Sequence, residues 1–172
     1  MQKDQTLTLP SGAQILVRVV RPDDALALQR LHSRCGERTI YLRFFGSMEE
    51  LSDEKAQCFA NVDGADHLGL VALDPEDPDE IIAIVRYDRE LPGDKRAEYA
   101  ALVEDRWQGL GIGTALTHRL IQAARAKGIR FFYALVKGEN MRMLDVLRHL
   151  DLPERELREG SVKCVEVELS SE

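Results

Sequence analysis

The spacing of apolar residues changes period several times along the chain, and each change predicts an element. Residues 14–20 form a short run rich in Val and Ile that reads as a strand. Pro22, Asp23 and Asp24 place a proline and acids where a helix start favours them, and Leu28, Leu31, His32 and Cys35 follow at helical spacing. Ser52 is placed to cap a second helix, with Asp53 and Glu54 in its first turn and an end near Ala60. The period then becomes that of strands, over 67–73, 81–87 and 97–103, broken by an acidic turn at 74–79 and a second turn at 91–94. Short turns between successive strands predict an antiparallel meander. Ile112, Leu116, Leu120, Ala123 and Ala124 return to helical spacing over 111–127, with Gly128 as the stop. Residues 129–136 form an apolar run expected to be a buried strand, including Phe131, Phe132 and Tyr133. Strand, long helix, strand is a crossover unit, so this strand should run parallel to 97–103. A short helix over 140–150 follows, and a hairpin of 156–158 with 162–169 closes the chain. With no repeat and no low-complexity linker, residues 1–172 are expected to form one α+β domain with a mixed sheet.

Composition narrows the class. A chain of 172 residues that is 44% apolar can bury one core. It holds no apolar run long enough to span a bilayer, and residues 1–10 lack the apolar stretch of a signal peptide. Cys35, Cys58 and Cys164 are odd in number and widely spaced, which points away from a disulfide framework or a zinc site and toward the cytoplasm. His32, His67 and His118 are too scattered for a metal, so none is expected. The net charge of −7 repels phosphate backbones and suits a cationic partner such as a lysine side chain, although it also serves solubility alone. Neither a nucleic acid nor a membrane is an expected partner.

The segment Gln108, Gly109, Leu110, Gly111, Ile112, Gly113, Thr114 lies between a strand and a helix. Its alternating glycines allow a tight turn and a close ligand, and the free N–H groups at a helix start carry partial positive charge. Together they offer a seat for a phosphate or diphosphate. A Walker loop is excluded because no Lys precedes Thr114, and a Rossmann fingerprint because the last glycine is wrongly spaced. The pattern Gln/Arg-x-x-Gly-x-Gly/Ala is met by Gln108, Gly111 and Gly113, while a purely structural turn remains the alternative.

On these residues the stretch from Ala97 to Leu150 resembles the core of the GNAT superfamily of N-acetyltransferases. The matching pieces are Ala97–Glu98, the 108–113 loop, the long helix, and Glu139–Asn140 before the next helix. A second stretch, 37–45 with 51–54, resembles the acetyltransferase module of Pat-type bacterial protein lysine acetyltransferases. The resemblance implies a mostly antiparallel sheet of six to seven strands flanked by about four helices, with the fourth and fifth strands splayed. It implies acetyl-CoA as cosubstrate, its diphosphate on the main chain of Gln108, Gly109, Leu110, Gly111, Ile112, Gly113 and Thr114. The pantetheine arm would pair with Leu102 and Val103, and Asn140 would touch the cofactor. Tyr41, Arg43, Phe44 and Phe45 would wall the substrate side.

An amine attacks a thioester only when neutral, and at pH 7 about one lysine in 2,500 is, a cost of roughly 4.6 kcal/mol. A base is needed, and a donor where the thioester oxygen gains charge. The resemblance makes Glu98 the base; alternation puts it on one face with Ala100 and Leu102, where apolar neighbours would desolvate it. Exposure beside Lys95 and Arg96 is the competing reading. Glu104 and Asp105 are expected to be solvated at the loop entrance, and Trp107 to pack. The oxyanion donor would be a main-chain N–H near Val103. Relatives carry a Tyr where Arg148 and His149 stand and Gly-Phe where Asp151 and Leu152 stand, so the general acid is unassigned. The expected reaction is acetyl transfer to a primary amine, foremost a protein lysine, by a monomer or homodimer. A small-molecule amine acetyltransferase and a non-catalytic acyl-CoA-binding module are the alternatives.

Overall fold

The structure, a computed structural model, describes residues 4–46 and 48–169. In chain order these form β1 (Gln5–Thr8), β2 (Gln14–Val19), a 3₁₀ turn (Pro22–Asp24), α1 (Ala25–Arg34), α2 (Glu37–Phe44), α3 (Asp53–Ala60), β3 (His67–Leu73), β4 (Ile81–Asp88) and β5 (Arg96–Val103). A second 3₁₀ turn (Asp105–Trp107), α4 (Ile112–Ala126), β6 (Phe131–Lys137), α5 (Met141–His149), β7 (Glu154–Glu159) and β8 (Val162–Glu168) follow. The strands make one sheet in the order β1-β2-β3-β4-β5-β6-β8-β7. Every neighbouring pair is antiparallel except β5 and β6, where the α4 crossover makes the strands parallel.

Both faces of the sheet are covered. On one, α4 and α5 pack Ile112, Leu116, Leu120, Leu144 and Leu147 against Val85, Tyr87, Tyr99 and Phe132. On the other, Leu28 and Leu31 of α1 and Ala56 and Ala60 of α3 meet Val71, Ile84 and Leu102. A strand buried on both faces needs apolar residues in succession, and β3 and β4 are such runs.

The sheet has eight strands rather than six to seven, and there are five helices rather than four. The added strand β1 is short and mostly exposed, and takes its order from pairing with β2. The closing hairpin is longer on its first side than expected, because β7 pairs with β8 from Glu154 to Glu159. Phe131–Tyr133 is core only in part: Phe132 is buried, while Phe131 and Tyr133 turn half-buried to the opposite face. Asp151 has φ of 55°, a left-handed turn after α5 that Asp tolerates better than most residues.

The splay is present. β5 pairs with β6 only at Arg96–Phe131, Ala97–Phe132 and Glu98–Tyr133, whereas β6 stays paired with β8 along its length. The second half of β5 therefore leaves a gap in the sheet.

Candidate active site

The loop between β5 and α4 turns on two glycines with positive φ, Gly109 at 75° and Gly111 at 91°. Residues with a Cβ rarely adopt these values. Gly111 is the N-cap of α4 and provides no side-chain cap. The first intrahelical bond runs from the Ala115 N–H to the Gly111 carbonyl at 3.1 Å, so the Ile112, Gly113 and Thr114 amides precede it and point out of a fifteen-residue helix. That arrangement fits a diphosphate. Two buried hydroxyls brace it: Tyr99 Oη lies 2.6 Å from Thr117 Oγ1, which donates to the Gly113 carbonyl at 2.6 Å. Burial pushes the Tyr99 phenol up to about 12, so it stays a donor.

The open edge of β5 has a defined phase. Glu104 N–H donates to the Ile82 carbonyl at 2.9 Å, and the antiparallel register then turns Leu102 and Ala100 toward β4. Ala101 and Val103 turn their main-chain groups into the gap. This corrects the reading of Leu102: its amide belongs to the β4 ladder and its side chain is buried against α1 and α3, so main-chain contacts in the gap fall to Ala101 and Val103. The Val103 carbonyl is already taken, because Gln108 Nε2 donates to it at 2.9 Å and reaches Thr39 Oγ1 at 3.3 Å. Its N–H, like the Ala101 main-chain groups, is left facing the gap. The Gln108 side chain is thus turned inward, leaving diphosphate contacts to the main chain.

Glu98 lies on the α1–α3 face beside the gap and is exposed. The apolar enclosure expected around it is not there. Above it stands α2, where Arg43 lies over the Phe44 ring at 4.7 Å and the Phe59 ring at 5.9 Å. Burial and the neighbouring Arg86 charge push Arg43 down to about 10, and Glu98 and Asp88 pull it back up, which sets the guanidinium within electrostatic reach of Glu98. Next to Leu102 is a small cavity of about 30 Å³, bordered by Leu31, His32, Arg43, Phe59 and Arg86.

Asp105 is exposed, as expected, yet it also holds α2 in place. Its carboxylate accepts from the Gly36 N–H and from Thr39 Oγ1 at 2.8 Å, capping that helix. Glu104 is not solvated. It is buried and paired with Arg34 at 3.1 Å and Arg106 at 2.9 Å. Asn140 caps α5, its Oδ1 accepting from the Met143 N–H at 3.2 Å. His149 Nδ1 lies 2.6 Å from the Asp145 carbonyl of its own helix and is exposed. The sequence reading missed Arg142, whose Nη1 would lie 3.6 Å from a Cβ at Gly109 and so adds a cation at the edge of the loop. A basic residue in the first turn of the helix after Asn140 was the available signal.

The acetyltransferase (GNAT) family model matches residues 26–151. The chain belongs to that family. A GNAT member of this kind is an acyl-CoA-dependent N-acetyltransferase with acetyl-CoA as cosubstrate. An acetyltransferase of Pseudomonas aeruginosa is 29% identical over 81% of this GNAT chain and 75% of its own. The acetyltransferase Pat of Mycolicibacterium smegmatis is 32% identical over 81% of this chain and 41% of its own, so the chain spans less than half of that relative. The crystal structure of the GNAT domain of S. lividans Pat superposes with a TM-score of 0.87 at 31% identity, covering 96% of each chain. In this GNAT fold the start of α4 and the Val103 end of β5 meet at the 108–111 loop, with Arg142 at its edge, and Glu98 stands at the paired end of β5.

Proposed function

We propose that the chain transfers an acetyl group from acetyl-CoA to the side-chain amine of a protein lysine, with Glu98 as the base that receives the ammonium proton. The observation that carries this reading is the openness of the acceptor side. Glu98 is exposed on the face beside the gap. An open carboxylate suits a lysine presented on a long stem by another protein. The likeness to Pat and the net charge of −7 support the same acceptor.

The chemistry follows from the groups present. The diphosphate sits on the Ile112, Gly113 and Thr114 amides, and the pantetheine arm runs along Ala101 and Val103. The Val103 N–H meets the thioester oxygen as charge grows on it. Glu98, directly or through one water, removes the proton that keeps lysine unreactive.

The test is an incubation with acetyl-CoA and, separately, a cell-protein mixture and a panel of polyamines and amino acids. Lysine acetylation of proteins is expected, falling about a hundredfold or more in Glu98→Gln. Fast turnover of a small amine with no protein acetylation would overturn the acceptor, and full activity in Glu98→Gln would remove the base.

A further inference from the structure

Beyond its last pair with β5, β6 runs along the far side of the gap. Lys137 lies four residues beyond Tyr133 on β6, as Leu102 lies four beyond Glu98 on β5, so counting on from the last paired residues sets Lys137 across the gap from the Ala101–Val103 stretch. Phe132, Ala134 and Val136 point into the α4 core, so Lys137 shares the opposite face with Tyr133 and Leu135, which is also the face of Glu98 and Leu102. Its Nζ lies 5.1 Å from the centroid of the Tyr41 ring and 5.4 Å from that of Phe45. Phe45 is held at φ of 60°, a left-handed conformation unusual for a bulky residue. Among the described residues Lys137 makes no ion pair. The chain thus carries a primary amine of its own, held by two aromatic rings of the acceptor wall, at the height where the thioester is read to lie.

We propose that Lys137 is itself an acceptor, acetylated within one molecule from the bound acetyl-CoA. The proposal rests on the reading that the thioester lies along Ala101 and Val103. The Lys137 ammonium loses one proton to water, and the freed Nζ lone pair forms a C–N bond to the acetyl carbonyl carbon. The C–S bond breaks, and a second Nζ proton ends on the departing sulfur, giving acetyl-Lys137, coenzyme A and one proton. The product amide carries no charge, so the attraction of the Tyr41 and Phe45 rings for the ammonium is lost. The modification therefore alters the wall past which other acceptors enter.

The test incubates the purified chain with acetyl-CoA across a wide dilution series and follows each lysine by peptide mass spectrometry. Coenzyme A binding by calorimetry and acetylation of added amines are measured on the same preparation. Lys137 is expected to gain one acetyl group at a rate independent of protein concentration and about tenfold or more faster than exposed Lys55, Lys95 and Lys127, because the reacting groups are held together. The Lys137→Arg chain, which keeps a cation on the rings, must show no acetyl group on that peptide. If coenzyme A binds and added amines are acetylated while Lys137 reacts no faster than the exposed lysines, the inference fails and the acetyltransferase reading stands. A rate that rises with protein concentration overturns transfer within one molecule. Absence of coenzyme A binding overturns both.

Discussion

Gln108 donates from Nε2 to the Val103 carbonyl at 2.9 Å, so the first residue of the glycine-rich loop occupies the Val103 acceptor on the open edge of β5. The same amide reaches Thr39, which also donates to Asp105, tying α2 to the loop. The β5–α4 loop, the end of β5 and α2 are therefore parts of one hydrogen-bonded unit. Gln108→Leu leaves a half-buried carbonyl without a donor, at a cost of about 1–3 kcal/mol. Thermal unfolding should shift down accordingly, and coenzyme A affinity measured by calorimetry should fall with it. Gln108→Glu sets an acceptor against the carbonyl and should be the worse of the two.

The glycines of the loop differ in what they do. Gly111 has φ of 91°, so Gly111→Ala is strained by about 1–2 kcal/mol. Gly113 lies inside α4, and an added Cβ would meet Val103 and Val146 side chains at an ordinary 3.8 Å. Gly113→Ala should be neutral or stabilising by up to about 1 kcal/mol, since Ala is the better helix former. Denaturant unfolding of the two variants checks the contrast.

Glu104 is the buried centre of an ion-pair network, and the side chain of Arg106 is far more exposed, at 57% against 6% for that of Glu104. Removing Glu104 leaves Arg34 short of a partner in a partly buried place. Glu104→Ala should cost about 3 kcal/mol, and Arg106→Ala about 1 kcal/mol or less. Equal losses in the two variants would contradict this picture of the network.

Asp24 links folding to pH. Burial pulls its carboxyl up, but bonds from both Arg18 Nη atoms at 2.7 and 2.9 Å, and from the Arg21 N–H at 2.7 Å, hold it below the usual carboxylate range. A lowered folded pKa means stability that is present above the unfolded value of about 3.9 and lost as pH falls through the folded value. Acid unfolding followed by circular dichroism should show this limb, and Asp24→Asn should flatten it while lowering stability at pH 7.

The strands β3, β4 and β5 and the helix α4 were legible because period alone separates them, and the loop because glycine spacing is a local signal. β1 was not, since Gln5–Thr8 has little apolar pattern and exists by pairing with β2. The phase of β5 was half visible: alternation sorts the side chains of Glu98 and Leu102 onto one face, but which amides meet β4 depends on register. Glu104 looked solvated because its partner Arg34 is distant in sequence and reaches it only through the fold. Lys137 gave no signal at all, for its ring neighbours lie on and just after α2, far away along the chain.

A crystal structure of the chain with acetyl-CoA tests the central claim most directly. The diphosphate should lie on the Ile112, Gly113 and Thr114 amides, with the thioester oxygen within hydrogen-bond distance of the Val103 N–H. A diphosphate bound away from that helix start, or a thioester outside the gap between β5 and β6, would contradict the account.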